Sequence, residues 1–287
     1  MTYGPYLAIL IDLLGQGEEL MKLESLDAPE DQKLDAIVNI LSHTAGNVKT
    51  VRDWITEFFA SLSKVQRSAE ELPPEAREGY LRFRAMNFKV NAFSDTIVVS
   101  AGLMKDPLLG SAKSGEVLHS ALMAVSSVSL AALAAGIPLR AGIDVAPGLD
   151  IGDVEVYGPA LVRAHRLESK QADYPRAAIG DGLMRFLDWL EQQVDPKPWT
   201  GYSAERAKAC RALICQAPDD GSLMLHVLSS EVMKLPNHHE LPPKVLSWAE
   251  AELARHQEAN SAALVARYER LIQYFAVSGY PPSTPVS

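Results

Sequence analysis

Two aspartates are the residues best placed to do chemistry. Asp12 interrupts the apolar run YLAILIDLL, Tyr6 to Leu14, near its C-terminal end. Asp95 falls between two further apolar runs, Phe88–Phe93 and Thr96–Ala101, at the position expected for a hairpin tip. A lone carboxylate in a buried run costs several kcal/mol unless a cation or hydrogen bonds compensate it. Two carboxylates brought together repel each other unless something positive lies between them. Mg²⁺ or Mn²⁺ suits that position, because hard cations take carboxylate oxygens and leave room for phosphates. Two such ions would lower the pKa of an attacking hydroxyl and neutralise a leaving pyrophosphate. Each aspartate also has a plainer reading, as a strand-end cap for the following helix or as a turn residue.

The elements around the pair follow from apolar spacing. Tyr6–Leu14 reads as a strand buried on both faces, ended by Gly15 and Gly17. Ala28 to Arg67 has helical spacing and predicts a helix pair, or one long helix broken at Gly46. Glu70 to Glu78, with Pro73 and Pro74, predicts a connector. Lys113 to Gly136 predicts a buried helix, and Pro138 to Val145 a strand that carries Arg140 and Asp144 on one face. Arg140 is expected to pair with Asp144 or with a phosphate. A short strand at Asp153–Tyr157 precedes a helix opened by Gly158-Pro159, and Arg176–Ile179 predicts one more strand.

The order β-α-β-β-α-β implies an α+β chain with a ferredoxin-like core, helices on one face of a four-stranded antiparallel sheet. The expected organisation is a catalytic domain over residues 1–195, a mostly helical C-terminal extension packed on it over 196–280, and a disordered tail over 281–287.

The segments ILIDLLG, NAFSDTIVVS, LRAGIDV and VYGPALVRAHRLES, in this order, resemble the class III nucleotidyl cyclases. The phrases FSDTIVVS, YGPALVRAHRLES and ADYPRAAI are similar to the stand-alone bacterial cyclases of the Pycsar anti-phage system, which make cyclic UMP or cyclic CMP. The match covers residues 5 to 181 well and the remainder loosely. It implies that Asp12 and Asp95 hold two Mg²⁺ or Mn²⁺ ions and that Leu13 offers its backbone carbonyl. Arg166 matches the catalytic arginine that stabilises charge on the transferring phosphate. Asn91 and Glu155 match the two base-selecting positions, where this chain has neither the Lys/Asp pair of adenylate cyclases nor the Glu/Cys pair of guanylate cyclases. Arg176 is expected to line the triphosphate pocket. Val162 stands where the family has a ribose-contacting asparagine.

The resemblance further implies a homodimer with its sites at the interface and a separate cyclic-nucleotide-binding effector downstream. The expected reaction converts UTP to 3′,5′-cyclic UMP and pyrophosphate. Cytidylate, adenylate and guanylate cyclases are its enzyme rivals, and a degenerate cyclase-like nucleotide-binding module is the rival that lacks turnover.

Composition is compatible with this. The net charge of −9, with no Lys/Arg cluster of the kind that tracks a phosphate backbone, disfavours nucleic-acid polymers as partners. The longest apolar stretch, Ser120 to Pro138, is interrupted by serines and reads as a core helix rather than a membrane span. With no basic N-terminal flank of the signal-peptide kind, a cytoplasmic location is expected. Cys210 and Cys215 lack a second ligand pair and read as free thiols.

Overall fold

The computed structural model describes residues 3–24, 29–64, 74–85, 87–151, 155–197 and 199–282. The chain is α+β, with one mixed sheet and helices on both of its faces. The central strand β1 (Tyr3–Leu13) carries the apolar run. Its residues Leu7, Ile9, Ile11 and Leu13 enter the main core, while Tyr6, Ala8 and Leu10 pack on the opposite side. Each such side chain, fully withdrawn from water, stabilises the fold by about 2 kcal/mol, which is why a run apolar on both sides becomes the middle strand.

β1 pairs antiparallel with β3 (Thr96–Gly102) on one side and with β4 (Leu139–Ile151) on the other. β3 pairs antiparallel with β2 (Lys89–Phe93) through the two-residue turn Ser94-Asp95. Ser94 adopts φ 55°, the left-handed region that a tight hairpin requires and that serine enters at a cost of about 1 kcal/mol. The short strand β5 (Glu155–Tyr157) folds back onto the end of β4, and β6 (Ala177–Ile179) lies parallel to β4. The strand order is β2-β3-β1-β4-β6-β8-β7.

Two helical crossovers connect β1 to β2 and β3 to β4. The first contains the short α1 (Gln16–Met21), α2 (Glu30–Lys64) and α3 (Pro74–Arg84). α2 is a single 35-residue helix rather than the expected pair or broken helix. Gly46 has open space around its Cα, so its cost is limited to the helix propensity of glycine, about 1 kcal/mol. The expected connector is helical from Pro74 onward, because proline is tolerated in a helix's first turn; residues 65–73 lie outside the described residues. The second crossover is α4 (Ala112–Ala134), as expected a buried core helix. Among the described residues it is the one helix long and apolar enough to cross a membrane, and 83% of its apolar window is buried inside the fold.

Helices on a single face of the sheet were expected, and here the structure differs. α5 (Pro159–Lys170) covers the opposite face and packs on β1 and β4. Gly142 makes this possible. A Cβ there would stand 2.0 Å from Ala164 O and 2.6 Å from Glu168 N, so the helix backbone lies directly on the strand.

α6 (Asp181–Glu191) follows β6, and then α7 (Tyr202–Ala212), β7 (Ile214–Gln216), β8 (Leu223–Leu225), α8 (Ser230–Met233), α9 (Leu241–Glu258) and α10 (Ala262–Val277). The C-terminal residues extend the sheet as well as adding helices, since β8 pairs with β6 at Ala178–Met224. Val245, Leu253, Leu271 and Phe275 enter the main core. Asp195, buried at the expected domain boundary, accepts hydrogen bonds from Ser111 N, Ser203 N and Ser203 Oγ and ties the two sides together. Of the expected tail, residues 283–287 lie outside the described residues.

Candidate functional site

The register of β1 and β3 brings the two aspartates together. Asp12 lies opposite Thr96, the residue after Asp95, and Leu13 N donates a 3.1 Å hydrogen bond to Asp95 O. Gly15, at φ 83°, turns the chain immediately after β1. A Cβ on Gly17 would stand 4.0 Å from Asp95 Oδ2, which places that carboxylate against the β1–α1 turn. By the period of two, Asp12 shares the sheet face of Tyr6, Ala8 and Leu10, the face on which α5 packs.

Arg140, the register partner of Asp12 on β4, compensates its charge. Arg140 Nε donates to Asp12 Oδ2 at 2.9 Å and lies 2.6 Å from Glu168 Oε1 of α5. Arg140 therefore pairs with Asp12 and Glu168 rather than with Asp144. Burial pushes the Asp12 carboxyl above its ordinary value; Arg140 opposes this, and the nearby Asp95 charge adds to it. Burial likewise raises Glu168, with Arg140 opposing and Asp12 adding.

The residues present fit a hard cation of the Mg²⁺ type. Such an ion needs only one or two protein carboxylates and completes its shell with water and substrate phosphate. Asp12 and Asp95 supply that number, with the Leu13 backbone alongside. Among the described residues no group of three or more His, Cys, Asp and Glu converges.

Arg166 lies elsewhere on the same layer. α5 buries Ala160, Ala164, Leu167 and Glu168 and exposes Val162, Arg163, His165 and Arg166. Arg166 lines a cavity of about 600 Å³ with Arg163, Lys170, Gly180, Asp181 and Arg185, beside β6 and the start of α6. Asp12 is held on the β1 side of β4, and this cavity opens toward β6. Val162 is 51% exposed, an aliphatic side chain on the outer face of α5.

Asn91 sits on edge strand β2 opposite Val98. Val90 and Ala92 pack on the main core, so Asn91 and Lys89 share the other face, that of Asp12. Lys89 Nζ reaches Asp150 Oδ1 at 2.5 Å. Glu155 opens β5 opposite Ile151. Arg176 is placed differently from a pocket-lining residue. Its side chain is 1% exposed and bonds Asp220 through both terminal nitrogens, with Asp173, Asp219 and the Gln171 carbonyl around it. The guanidinium also lies 4.7 Å from the ring centroid of Tyr174. It clamps the β5–β6 region to the loop between β7 and β8.

The sequence marks Arg163 only as a residue that, like His165, could compensate for Val162 at the ribose; it does not single out Glu168, Lys170 or Arg185. A signal for the cluster was there: Arg163 and Lys170 stand three positions before and four positions after Arg166, which aligns all three along one side of a helix. Arg185 belongs to another helix, and only tertiary structure brings it near. No family model, curated protein or solved structure matches the chain.

Proposed function

We propose that this protein is a metal-dependent nucleotide cyclase that converts UTP to 3′,5′-cyclic UMP and pyrophosphate. One observation carries the reading: the β1–β3 register sets Asp12 beside Asp95 at one end of the sheet, next to a glycine turn. The strand order β2-β3-β1-β4, all antiparallel, with helical crossovers after β1 and β3, is compatible with a ferredoxin-like core and supports the same reading. Mg²⁺ or Mn²⁺ bound by Asp12 and Asp95 would favour ionisation of the ribose 3′-hydroxyl and offset triphosphate charge.

The chain's own residues account for the remaining roles. In the reaction the 3′-oxygen bonds to the α-phosphorus, the bond from that phosphorus to the bridging oxygen breaks, and pyrophosphate leaves. The hydroxyl proton passes to water. Arg166 stabilises the charge that develops on the transferring phosphate, a role suited to a guanidinium fork. Asn91 presents both a donor and an acceptor to the base, as uracil or cytosine requires, with Glu155 as the second base-selecting position. Asp12 and Arg166 occupy different sides of β4 in one chain, which favours a site completed by a second copy, with the aspartates from one protomer and Arg166 from its partner. The product would act through a separate cyclic-nucleotide-binding effector in anti-phage defence.

The second reading, a nucleotide-binding module without turnover, is favoured by Val162, which offers the ribose no hydrogen-bonding group. Incubating the protein with each of the four ribonucleoside triphosphates and Mn²⁺ separates the readings. Cyclic UMP is the expected product, and Asp95→Ala is expected to lose it while melting like the wild type. No cyclic product from any triphosphate would overturn the enzyme reading, and product from ATP alone would overturn the choice of a pyrimidine.

A further inference from the structure

The cavity beside Arg166 concentrates positive charge that the fold leaves unpaired. Arg163, Arg166 and Lys170 line one side of α5, and Arg185 of α6 faces them across about 600 Å³. Like charges at three- and four-residue spacing destabilise a helix unless something negative lies among them. Asp144 meets little of that need. Its Oδ1 accepts from Val145 N at 2.9 Å and Leu183 N at 2.8 Å, holding the start of α6, and its Oδ2 lies 3.7 Å from Arg163. Arg166, Lys170 and Arg185 have no ion-pair partner among the described residues. Asp181 at the rim is the one other acid lining the cavity. Three unpaired cations thus converge on one concavity in a chain of net charge −9.

We propose that this cavity is a polyphosphate cradle, in which Arg163, Lys170 and Arg185 act with Arg166 on a pyrophosphate group. Guanidinium forks bind adjacent phosphate oxygens bidentately, and the lysine adds a point charge. A single carboxylate or monophosphate would engage one wall, whereas linked phosphates span from α5 to α6. The acidic character of the rest of the chain opposes a nucleic-acid backbone at the same place. The proposal rests on the cyclase reading only for why a polyphosphate would be met; binding itself does not depend on turnover.

Calorimetric titration of the full chain with inorganic pyrophosphate, without divalent metal, tests it. The wild type is expected to bind, and the double variant Lys170→Ala/Arg185→Ala to bind about a hundredfold more weakly, tenfold per cation removed. A matching loss for UTP would assign the cradle to the terminal phosphates of a nucleotide, and a loss for pyrophosphate alone to the released product. Arg185→Gln, which keeps much of the side-chain volume, gives the same readout if the double variant melts early. Failure of the wild type to bind pyrophosphate, or wild-type affinity in the variants, overturns the cradle, and cyclic product formed in that case leaves the cyclase reading standing. Pyrophosphate bound and lost in the variants, with no cyclic product from any triphosphate, overturns the cyclase reading and leaves the cradle.

Discussion

The guanidinium of Arg140 holds the carboxylate of Asp12, Nε to Oδ2, at 2.9 Å across two neighbouring strands. The same nitrogen lies 2.6 Å from Glu168, whose side chain is 4% exposed. One cation therefore balances two acids, one on the floor of the candidate metal site and one on the helix that presents Arg166. This explains how Asp12 is tolerated in an apolar strand, and it couples α5 to the aspartate pair.

Replacing Arg140 with methionine should expose that dependence. Methionine fills much of the volume but leaves Glu168 buried without its cation, a loss expected to cost about 3 kcal/mol. Denaturant unfolding would report it as a lower midpoint at unchanged slope. Adding Glu168→Gln should restore part of the loss, because the uncompensated charge is then gone. If Arg140→Met unfolds at the wild-type midpoint, the bridge does not support the fold.

The Arg176–Asp220 pair gives a pH dependence whose direction follows from its chemistry. Hydrogen bonds from Arg176, and from the backbone and hydroxyl of Ser222, hold the Asp220 carboxyl well below the usual carboxylate range. The unfolded chain, with an ordinary value of about 3.9, therefore takes up this proton before the folded one as pH falls. The stabilisation is complete above that value and is lost as pH drops toward the folded one. Asp220 is half exposed, so solvent screening limits its neutral-pH contribution to about 1 kcal/mol. Stability measured from about pH 5 down to pH 2 should fall less steeply in Asp220→Asn than in the wild type. Identical slopes would show that the pair carries no linkage.

What could be read in advance divides along physical lines. The apolar run around Asp12, the hairpin at Ser94-Asp95 and the buried helix at Ala112–Ala134 are local patterns, and the chain states them directly. Strands β7 and β8 have three residues each, too few to show a period, so the sheet's extension into the C-terminal residues was hidden. Arg176 could be read as a cation but not as a clamp, because Asp220 lies 44 positions away. The face taken by α5 was not legible either. An amphipathic helix records which of its sides is buried, not which side of a sheet receives it.

Gly142 decides that last question and gives the sharpest test of the α5 placement. A methyl group there would meet Ala164 O at 2.0 Å, Glu168 N at 2.6 Å and Leu167 Cβ at 2.8 Å. Two of these are backbone atoms of a helix and cannot swing aside, so α5 must lift from β4 as a body. Gly142→Ala is expected to destabilise the protein by about 3 kcal/mol or more, at the upper end of overpacking costs, although alanine suits a strand no worse than glycine. The displacement should also separate Glu168 from Arg140 and move Arg166, so the cyclic-nucleotide formation proposed for this protein should fall even at temperatures where the variant stays folded. Thermal melting together with product assays below the midpoint would show both effects. A variant that melts and turns over like the wild type would mean that α5 does not rest on β4 at this residue, and the coupling of Arg166 to the aspartate pair through that helix would fall with it.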